Sequence, residues 1–188
     1  MVIRTKPTFF YTLISAITLT SVTSFGADYK TELTDASKYF LLRDYDKAVE
    51  IIDGVLEEEP GNVTALELRG RIEIVTGDLD AALATFEEAV AADPEDYRGW
   101  QGKGDVLERM YKTDEALEAY SVAVENNKKA SSSLYALAVL YAEKGEKENS
   151  FEYLKKAVKA NEFLKETARN EPGFEGFRGD AEFWEIVN

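Results

Sequence analysis

The sequence predicts an all-α protein, an α-solenoid of four helix-turn-helix units followed by capping helices at the C-terminus. Two observations lead to this fold class. Apolar residues recur at spacings of three and four, as in helices with one buried face. The whole pattern then repeats with a period of 34 residues, which is shown most simply by Ala48, Ala82, Ala116 and Ser150. A fixed period of this length indicates units that bury a continuous core by stacking on their neighbours.

The repeat register divides the chain into units at residues 29–62, 63–96, 97–130 and 131–164. Each unit has two small positions, where the helices of one hairpin are expected to cross closely because a larger side chain would push their axes apart. In chain order the small positions hold Ala36 and Ala48, Gly70 and Ala82, Gly104 and Ala116, and Ala138 and Ser150. The bulky residues that fill the remaining space include Ile52, Phe86, Tyr120 and Leu154.

Short breaks separate the two helices of each unit and supply glycine for a helix end or Asp and Thr for the next N-cap. They are Arg43-Asp44, Thr76-Gly77-Asp78, Thr113-Asp114 and Lys144-Gly145. Prolines 60 and 94 end the second helices of the first two units. Lys128 and Glu162 stand at the corresponding positions of the later units. The pattern therefore allows the helices of those units to run on.

The first 26 residues have the pattern of a signal peptide. Arg4 and Lys6 precede an apolar stretch at residues 8–22, and the small residues Ser24 and Gly26 suit cleavage after Gly26. The stretch is shorter than the ~20 residues of a membrane-spanning helix. We therefore expect a periplasmic or secreted protein with no membrane span after cleavage. The alternative is an uncleaved N-terminus that anchors the chain in a membrane.

Residues 165–188 do not continue the repeat and are predicted to form a C-terminal cap. A stack of repeats exposes an apolar end that has to be covered. The expected cap residues are Phe163, Leu164, Phe174, Phe177, Phe183, Trp184 and Ile186. The alternative interpretation is that these aromatic residues form a binding site for a partner.

Composition excludes several classes of function. The chain has no Cys and no His, so it has no disulfide, no thiolate nucleophile, no imidazole base and few means of binding zinc or copper. A net charge of -14 argues against binding to nucleic acid or to anionic membrane surfaces. No motif that would activate a nucleophile is present. The sequence thus predicts neither an enzyme nor a cofactor or metal site.

The negative charge is concentrated in the first two units. Residues 29–62 hold nine acidic and four basic residues, and residues 63–96 hold nine and two. The simplest interpretation is a solvated surface that keeps the protein soluble. The alternatives are steering of a basic partner or weak binding of divalent cations.

The repeat pattern resembles the tetratricopeptide repeat, in which a bulky residue, a Leu-Gly region, a Tyr, an Ala-x3-Phe segment and a Pro follow one another. The second unit carries the resemblance best, and the third is comparable with Trp100, Gly104, Ala116, Tyr120 and Ala123. The matching residues of the second unit are Leu66, Gly70, Ala82, Phe86, Ala89 and Pro94. The resemblance implies a protein that binds a peptide or a protein segment in a concave groove lined by the first helix of each unit.

The family's groove positions carry over to residues in all four units. In the first they include Leu33, Phe40 and Leu41, which extend an apolar strip, although Phe40 and Leu41 could instead pack against neighbouring helices. The resemblance implies a peptide-binding groove formed by Arg71, Ile74, Val75, Arg98, Gln101, Asp105, Arg109 and Tyr135. The arginines could hold a carboxylate or a backbone carbonyl of the ligand. Alternatively, they pair internally with Glu67, Asp105 and Glu108.

Two functions are compatible with these expectations. The first is an exported adaptor or assembly factor that binds a peptide or protein segment in the groove. The second is a structural subunit stably embedded in an envelope or secretion complex. An enzyme with an unexpected site is a third hypothesis, which no sequence motif supports.

Overall fold

The computed structural model describes residues 29–188, so the expected signal peptide lies outside the described residues. The described part contains helices and no strands. Its eight long helices are α1 (Lys30–Leu41), α2 (Tyr45–Glu58), α3 (Val63–Thr76), α4 (Leu79–Ala92), α5 (Tyr97–Arg109), α6 (Thr113–Asn126), α7 (Ser131–Glu143) and α8 (Lys147–Ala160). Two short helices follow, α9 (Leu164–Asn170) and α10 (Ala181–Val187), with a 3-10 helix (Pro172–Phe177) between them.

The long helices pack as consecutive antiparallel pairs, α1 with α2, α3 with α4, α5 with α6 and α7 with α8. Each second helix also contacts the first helix of the following pair. The first helices α1, α3, α5 and α7 contact one another in order and so form one continuous face. This is the predicted α-solenoid, and the fold class is confirmed. Within residues 29–188, no helix is both long and apolar enough to cross a membrane.

All eight small positions are buried, as predicted. Gly70 and Gly104 are buried in the first helices, and the six Ala and Ser residues at the other positions have no exposed surface. A Cβ atom at Gly70 would lie 2.6 Å from the Phe86 ring, and one at Gly104 would lie 2.6 Å from the Tyr120 ring. The small residues therefore make room for the bulky residue of the following helix.

The turn inside each pair has the same backbone shape. Residues with positive φ recur every 34 positions, at Arg43 (61°), Gly77 (90°), Tyr111 (59°) and Gly145 (75°). The break expected at Thr113-Asp114 is therefore placed too late, because the turn is at Tyr111 and α6 begins at Thr113. Tyrosine rarely adopts a positive φ, so the residue type gave no signal for the turn.

The helices of the third and fourth units do not run on. Both α6 and α8 stop at an asparagine, Asn127 and Asn161, whose backbone is extended. The side-chain oxygen of Asn127 accepts a hydrogen bond from the backbone N–H of Lys129 at 3.0 Å, and Asn161 accepts one from Phe163 at 3.2 Å. This Asx turn competes with the helical hydrogen bond and ends the helix without proline.

The tail covers the apolar end of the stack. The 3-10 helix packs on α7, and α10 packs on α8 and α9. Phe174, Phe183 and Val187 have no exposed surface and share a core with Phe151 and Leu154. Three of the expected cap residues, Phe163, Leu164 and Trp184, do not belong to this core. Phe163 is 87% exposed just after α8 ends, and Trp184 is 37% exposed with its indole N–H donating to the carbonyl of Arg178 at 2.8 Å.

Candidate functional site

A concave cleft opens on the face formed by the first helices. Its volume is about 440 Å³, and its walls come from the end of α1, the second half of α3 and the second half of α5. We call it the first-helix cleft. It is lined by Phe40, Arg71, Ile74, Val75, Asp105, Glu108 and Arg109. Five of the eight residues that the sequence assigns to a groove thus lie together around one space.

The cleft combines an apolar wall with two guanidinium groups. Ile74 is partly buried, whereas Val75 is 52% exposed and available to a ligand. The Arg71 guanidinium lies 5.1 Å from the centre of the Phe40 ring and 3.7 Å from a carboxylate oxygen of Glu67. Arg109 is exposed in the last turn of α5. Among the described residues, no carboxylate oxygen lies within 4.0 Å of the Arg109 guanidinium, so this group keeps its hydrogen-bonding capacity for a ligand.

Arg98 is bound internally. Its guanidinium forms hydrogen bonds to both carboxylate oxygens of Asp96, the shortest at 2.6 Å, and lies 3.5 Å from Glu67. Asp96 is also the N-cap of α5, where it accepts the backbone N–H of Arg98 at 2.9 Å. The hydrogen bonds from Arg98 lower the pKa of Asp96. Arg98 is therefore part of the start of α5 and lies outside the first-helix cleft.

Glu67 links Arg98 to the cleft. One of its carboxylate oxygens faces Arg98 at 3.5 Å, and the other faces Arg71 at 3.7 Å. Arg98 also donates to the Thr64 hydroxyl at 3.1 Å. Thr64 lines a second recess of about 410 Å³ next to the starts of α1 and α3, which also contains Leu33. The ion pairs expected as the alternative to a ligand site are thus present for Arg98 and in part for Arg71.

A buried tyrosine contacts two of the carboxylates that line the cleft. The hydroxyl of Tyr120 lies 2.7 Å from Asp105 and 2.9 Å from Glu108. A hydroxyl donates one hydrogen bond, so both contacts are satisfied when one of the two acids carries a proton. Burial, together with the charge of Glu108, raises the pKa of Asp105 to about 6 from 3.8, although the bond from Tyr120 lowers it in part. Burial and the two carboxylates also raise the pKa of Tyr120.

Asp105→Asn is expected to stabilise the protein at pH 7.5 by about 1–3 kcal/mol, since one pKa unit corresponds to about 1.4 kcal/mol. The pKa of Asp105 is higher in the folded protein than in the unfolded chain, so folding takes up a proton at Asp105 just below about pH 6. Above about pH 6, the carboxylate of Asp105 is charged in the folded protein and destabilises it. The gain should shrink at pH 5, where Asp105 is largely protonated. Urea unfolding at both pH values measures it. The exposed Glu118→Gln variant serves as the control and should show no such dependence; a less stable Asp105→Asn variant at pH 7.5 would contradict the assignment.

The remaining two groove residues lie farther along the stack. Gln101 on α5 accepts a hydrogen bond from the buried Ser133 on α7 at 3.3 Å. Tyr135 packs edge-on against Phe174 of the tail, with their ring centres 6.0 Å apart. Burial and the neighbouring Glu171 carboxylate raise the pKa of Tyr135. The tail therefore covers Tyr135, and neither residue lines the first-helix cleft.

The sequence reasoning missed the hydrogen bonds of Tyr120 to two residues that line this cleft. Tyr120 occupies the bulky position that holds Phe86 in the preceding unit, and the repeat pattern by itself indicates only a core residue there. A phenol placed where its neighbour has a phenyl ring needs a hydrogen-bond partner when buried. Asp105 and Glu108 belong to the face of α5 that the register assigns to the groove, so this substitution was the available signal.

Comparisons with known proteins agree with the repeat pattern. The family model of the tetratricopeptide repeat matches residues 36–97 and 102–164. The DnaJ homolog subfamily C member 7 homolog of Schizosaccharomyces pombe is 30% identical over 115 residues, which cover 53% of this chain and 24% of the relative. The FK506-binding protein-like protein of Mus musculus is 37% identical over 70 residues, which cover 37% of this chain and 20% of the relative. The chain thus spans about a quarter or less of the length of these relatives.

Solved structures resemble the fold at low sequence identity. MamA superposes with a TM-score of 0.66 at 20% identity and covers 81% of this chain and 90% of MamA. The thermophilic protein TTC0263 of Thermus thermophilus gives a TM-score of 0.70 at 18% identity, over 84% of this chain and 87% of its own. PilF of Pseudomonas aeruginosa gives 0.73 at 15% identity, over 84% and 72%. Identities this low show a shared fold and nothing about shared ligands.

Proposed function

Since the chain belongs to the tetratricopeptide-repeat family, whose members are in general protein–protein interaction modules, we propose that it binds a peptide or protein segment in the first-helix cleft. In this proposal it acts without catalysis, as an exported adaptor or assembly factor. Arg71, Ile74, Val75, Asp105 and Arg109 contact the segment. Arg98 holds the start of α5 in place instead of contacting the ligand.

One observation carries the proposal. The cleft places Arg109, which has no carboxylate partner among the described residues, beside the half-exposed Val75 and the ring of Phe40. Guanidinium groups bind carboxylates and carbonyls through paired hydrogen bonds, and buried apolar area supplies affinity. A ligand carboxylate or backbone carbonyl would therefore meet Arg109, while an apolar side chain covers Val75.

Charge reversal in the cleft tests this function. Arg71→Glu combined with Arg109→Glu should reduce capture of the partner from the native envelope fraction by at least about tenfold, equivalent to ~1.4 kcal/mol. Exposed ion pairs contribute about 0–1 kcal/mol, so thermal melting should change little. Quantitative pull-down with the tagged protein and circular dichroism measure the two effects.

The matched control is Arg178→Glu, which reverses an exposed arginine of the tail. Among the described residues, the only hydrogen bond of its guanidinium is to the Glu171 carbonyl at 3.4 Å. This variant should capture the partner as the parent does. Undiminished capture by the cleft variant would show that the cleft is not the site. A collapse of its melting temperature would instead make Arg71 and Arg109 structural residues.

A structural subunit is the second candidate function. It is favoured by Leu41 and Leu42, which are 78% and 74% exposed next to the cleft and add apolar surface beyond it. A subunit of an envelope complex should co-purify with its partners in fixed stoichiometry, whereas an adaptor should be recovered mainly as a free protein.

The proposed export predicts that intact-mass analysis finds the N-terminus of the mature protein at or near Ala27. A full-length species in the membrane fraction would indicate an uncleaved anchor instead.

A further inference from the structure

A third recess lies between the second helices α6 and α8 and the turn that leads into α7. Its volume is about 800 Å³, within the range of about 300–1,000 Å³ for ligand pockets. We call it the lysine recess. It is lined by Ser121, Val124, Glu125, Lys128, Lys129, Leu134, Tyr153, Lys156, Lys159 and Ala160. It shares no residue with the first-helix cleft, which belongs to α1, α3 and α5.

Three of the four lysines that line this recess differ from most other lysines that the structure describes. Most of the lysines that the structure describes, Lys156 of the recess among them, lie within 4.0 Å of a carboxylate oxygen. Leaving Lys30 aside, the exceptions within residues 29–188 are Lys128, Lys129 and Lys159. All three line the same recess. The described part of this acidic chain thus leaves three ammonium groups without a carboxylate partner at one place.

Acidic residues do not cancel this charge. Glu125 is the one carboxylate among the residues that line the recess. The fourth lysine, Lys156, is paired with Glu152 at 2.5 Å and lies 4.9 Å from the centre of the Tyr153 ring. The recess therefore presents excess positive charge on a protein whose net charge is -14.

Apolar side chains form the inner wall. Leu134 is almost fully buried, and Val124 and Tyr153 are partly buried. The Tyr153 ring stacks on Tyr141, with centres 5.6 Å apart and planes 9° from parallel, so its position is fixed by packing. This wall offers a preformed contact surface for an apolar side chain, with ammonium groups around it.

We propose that the lysine recess binds an acidic peptide segment of a second protein, in which an apolar side chain lies between aspartates or glutamates. The apolar side chain packs on the partly buried Val124 and Tyr153. The flanking carboxylates pair with Lys128 and Lys129 on one side and Lys159 on the other. The excess positive charge favours an acidic ligand. Because the apolar wall is concave, it fits a protruding side chain of a peptide better than the flat surface of a membrane. The strongly acidic first two units repel anionic vesicles as well. This site adds to the first-helix cleft and does not depend on it.

The test measures binding of a fluorescent peptide with two leucines flanked by glutamates, using anisotropy at low salt. The variant carrying Lys128→Gln, Lys129→Gln and Lys159→Gln should bind it at least about tenfold more weakly. A matched variant with Lys38→Gln, Lys47→Gln and Lys112→Gln changes the net charge equally, away from the recess, and should bind within about twofold of the parent. Helicity of both variants should equal that of the parent because all six lysines are exposed.

Two further peptides separate charge from fit. Replacing the glutamates of the peptide by glutamines, or its leucines by serines, should each abolish the difference between the parent and the recess variant. If the parent protein bound the serine peptide as tightly as the leucine peptide, the proposal would be overturned, since charge alone would then explain the affinity. Two other results would overturn it. One is that the parent floats with phosphatidylserine vesicles and the recess variant does not. The other is that the parent self-associates in sedimentation as its concentration rises and the recess variant does not. The Arg71→Glu, Arg109→Glu variant should keep full peptide affinity, so failure here and failure of the first-helix cleft are distinguishable.

Discussion

Gly102→Ala is expected to lower the free energy of unfolding by about 1–3 kcal/mol, the usual effect of overpacking a core. Gly102 is buried in α5, and a Cβ atom there would overlap the ring of Phe86. That ring has no exposed surface and also packs on Gly70, where a Cβ atom would lie 2.6 Å away. Because Phe86 is held between two glycines of successive first helices, it cannot move away from either of them without disturbing the other.

Chemical unfolding of the variant measures this effect. Gly54→Ala is the control, since Gly54 lies in α2 with nothing within 4 Å of an added Cβ atom. It should stabilise the protein by up to ~1 kcal/mol through helix propensity. Combining Gly102→Ala with Phe86→Leu should cost less than the sum of the two single changes, because the two residues contact each other. A Gly102→Ala variant as stable as the parent would contradict the packing of α3, α4 and α5.

Deleting residues 172–188 is expected to abolish a stable monomer. The deletion removes Phe174, Phe183 and Val187 from the core they share with Phe151 and Leu154. Truncating one buried phenylalanine to alanine costs about 3–5 kcal/mol, and a whole domain is stable by only about 5–15 kcal/mol. The apolar end of α7 and α8 would then face water and promote aggregation. Light scattering with size-exclusion chromatography measures the aggregation.

Neighbouring residues of α10 provide a matched pair for this prediction. Phe183→Ala should destabilise by about 3–5 kcal/mol, whereas Trp184→Ala should cost much less because that ring is 37% exposed. A truncated chain that stays monomeric and melts like the parent, yet loses its partner, would make the tail aromatics a binding site. The packing of Phe174 against Tyr135 would then be incidental to stability.

The repeat period made most of the fold predictable. Once Ala48 was aligned with Ala82, Ala116 and Ser150, the positions of the helix crossings followed, because close packing allows only small residues there. The helix ends were less predictable. Tyr111 adopts a positive φ that its residue type disfavours, and Asn127 ends α6 although Lys128 stands where the family pattern has proline. At these points tertiary packing and side-chain hydrogen bonds decide the backbone.

The candidate site was predictable in its positions and less so in its interactions. The register placed Arg71, Val75, Asp105 and Arg109 on one face, and the structure brings them around one cleft. The repeat register could not reveal that Arg98 is bound by Asp96, since that contact depends on the side-chain conformation at the start of α5. The hydrogen bonds of Tyr120 depend in the same way on how α5 and α6 are paired.

The most direct measurement of where this protein binds its partner is photo-crosslinking from single positions in the native cell. A photoreactive residue at Val75, which is half-exposed in the first-helix cleft, should form one dominant crosslinked species with the partner. The same residue at Ala84, exposed on α4, should form none. The Arg71→Glu, Arg109→Glu background should remove the Val75 product. Crosslinks that arise from Ala84 and not from Val75 would contradict the proposal that the first-helix cleft binds the partner.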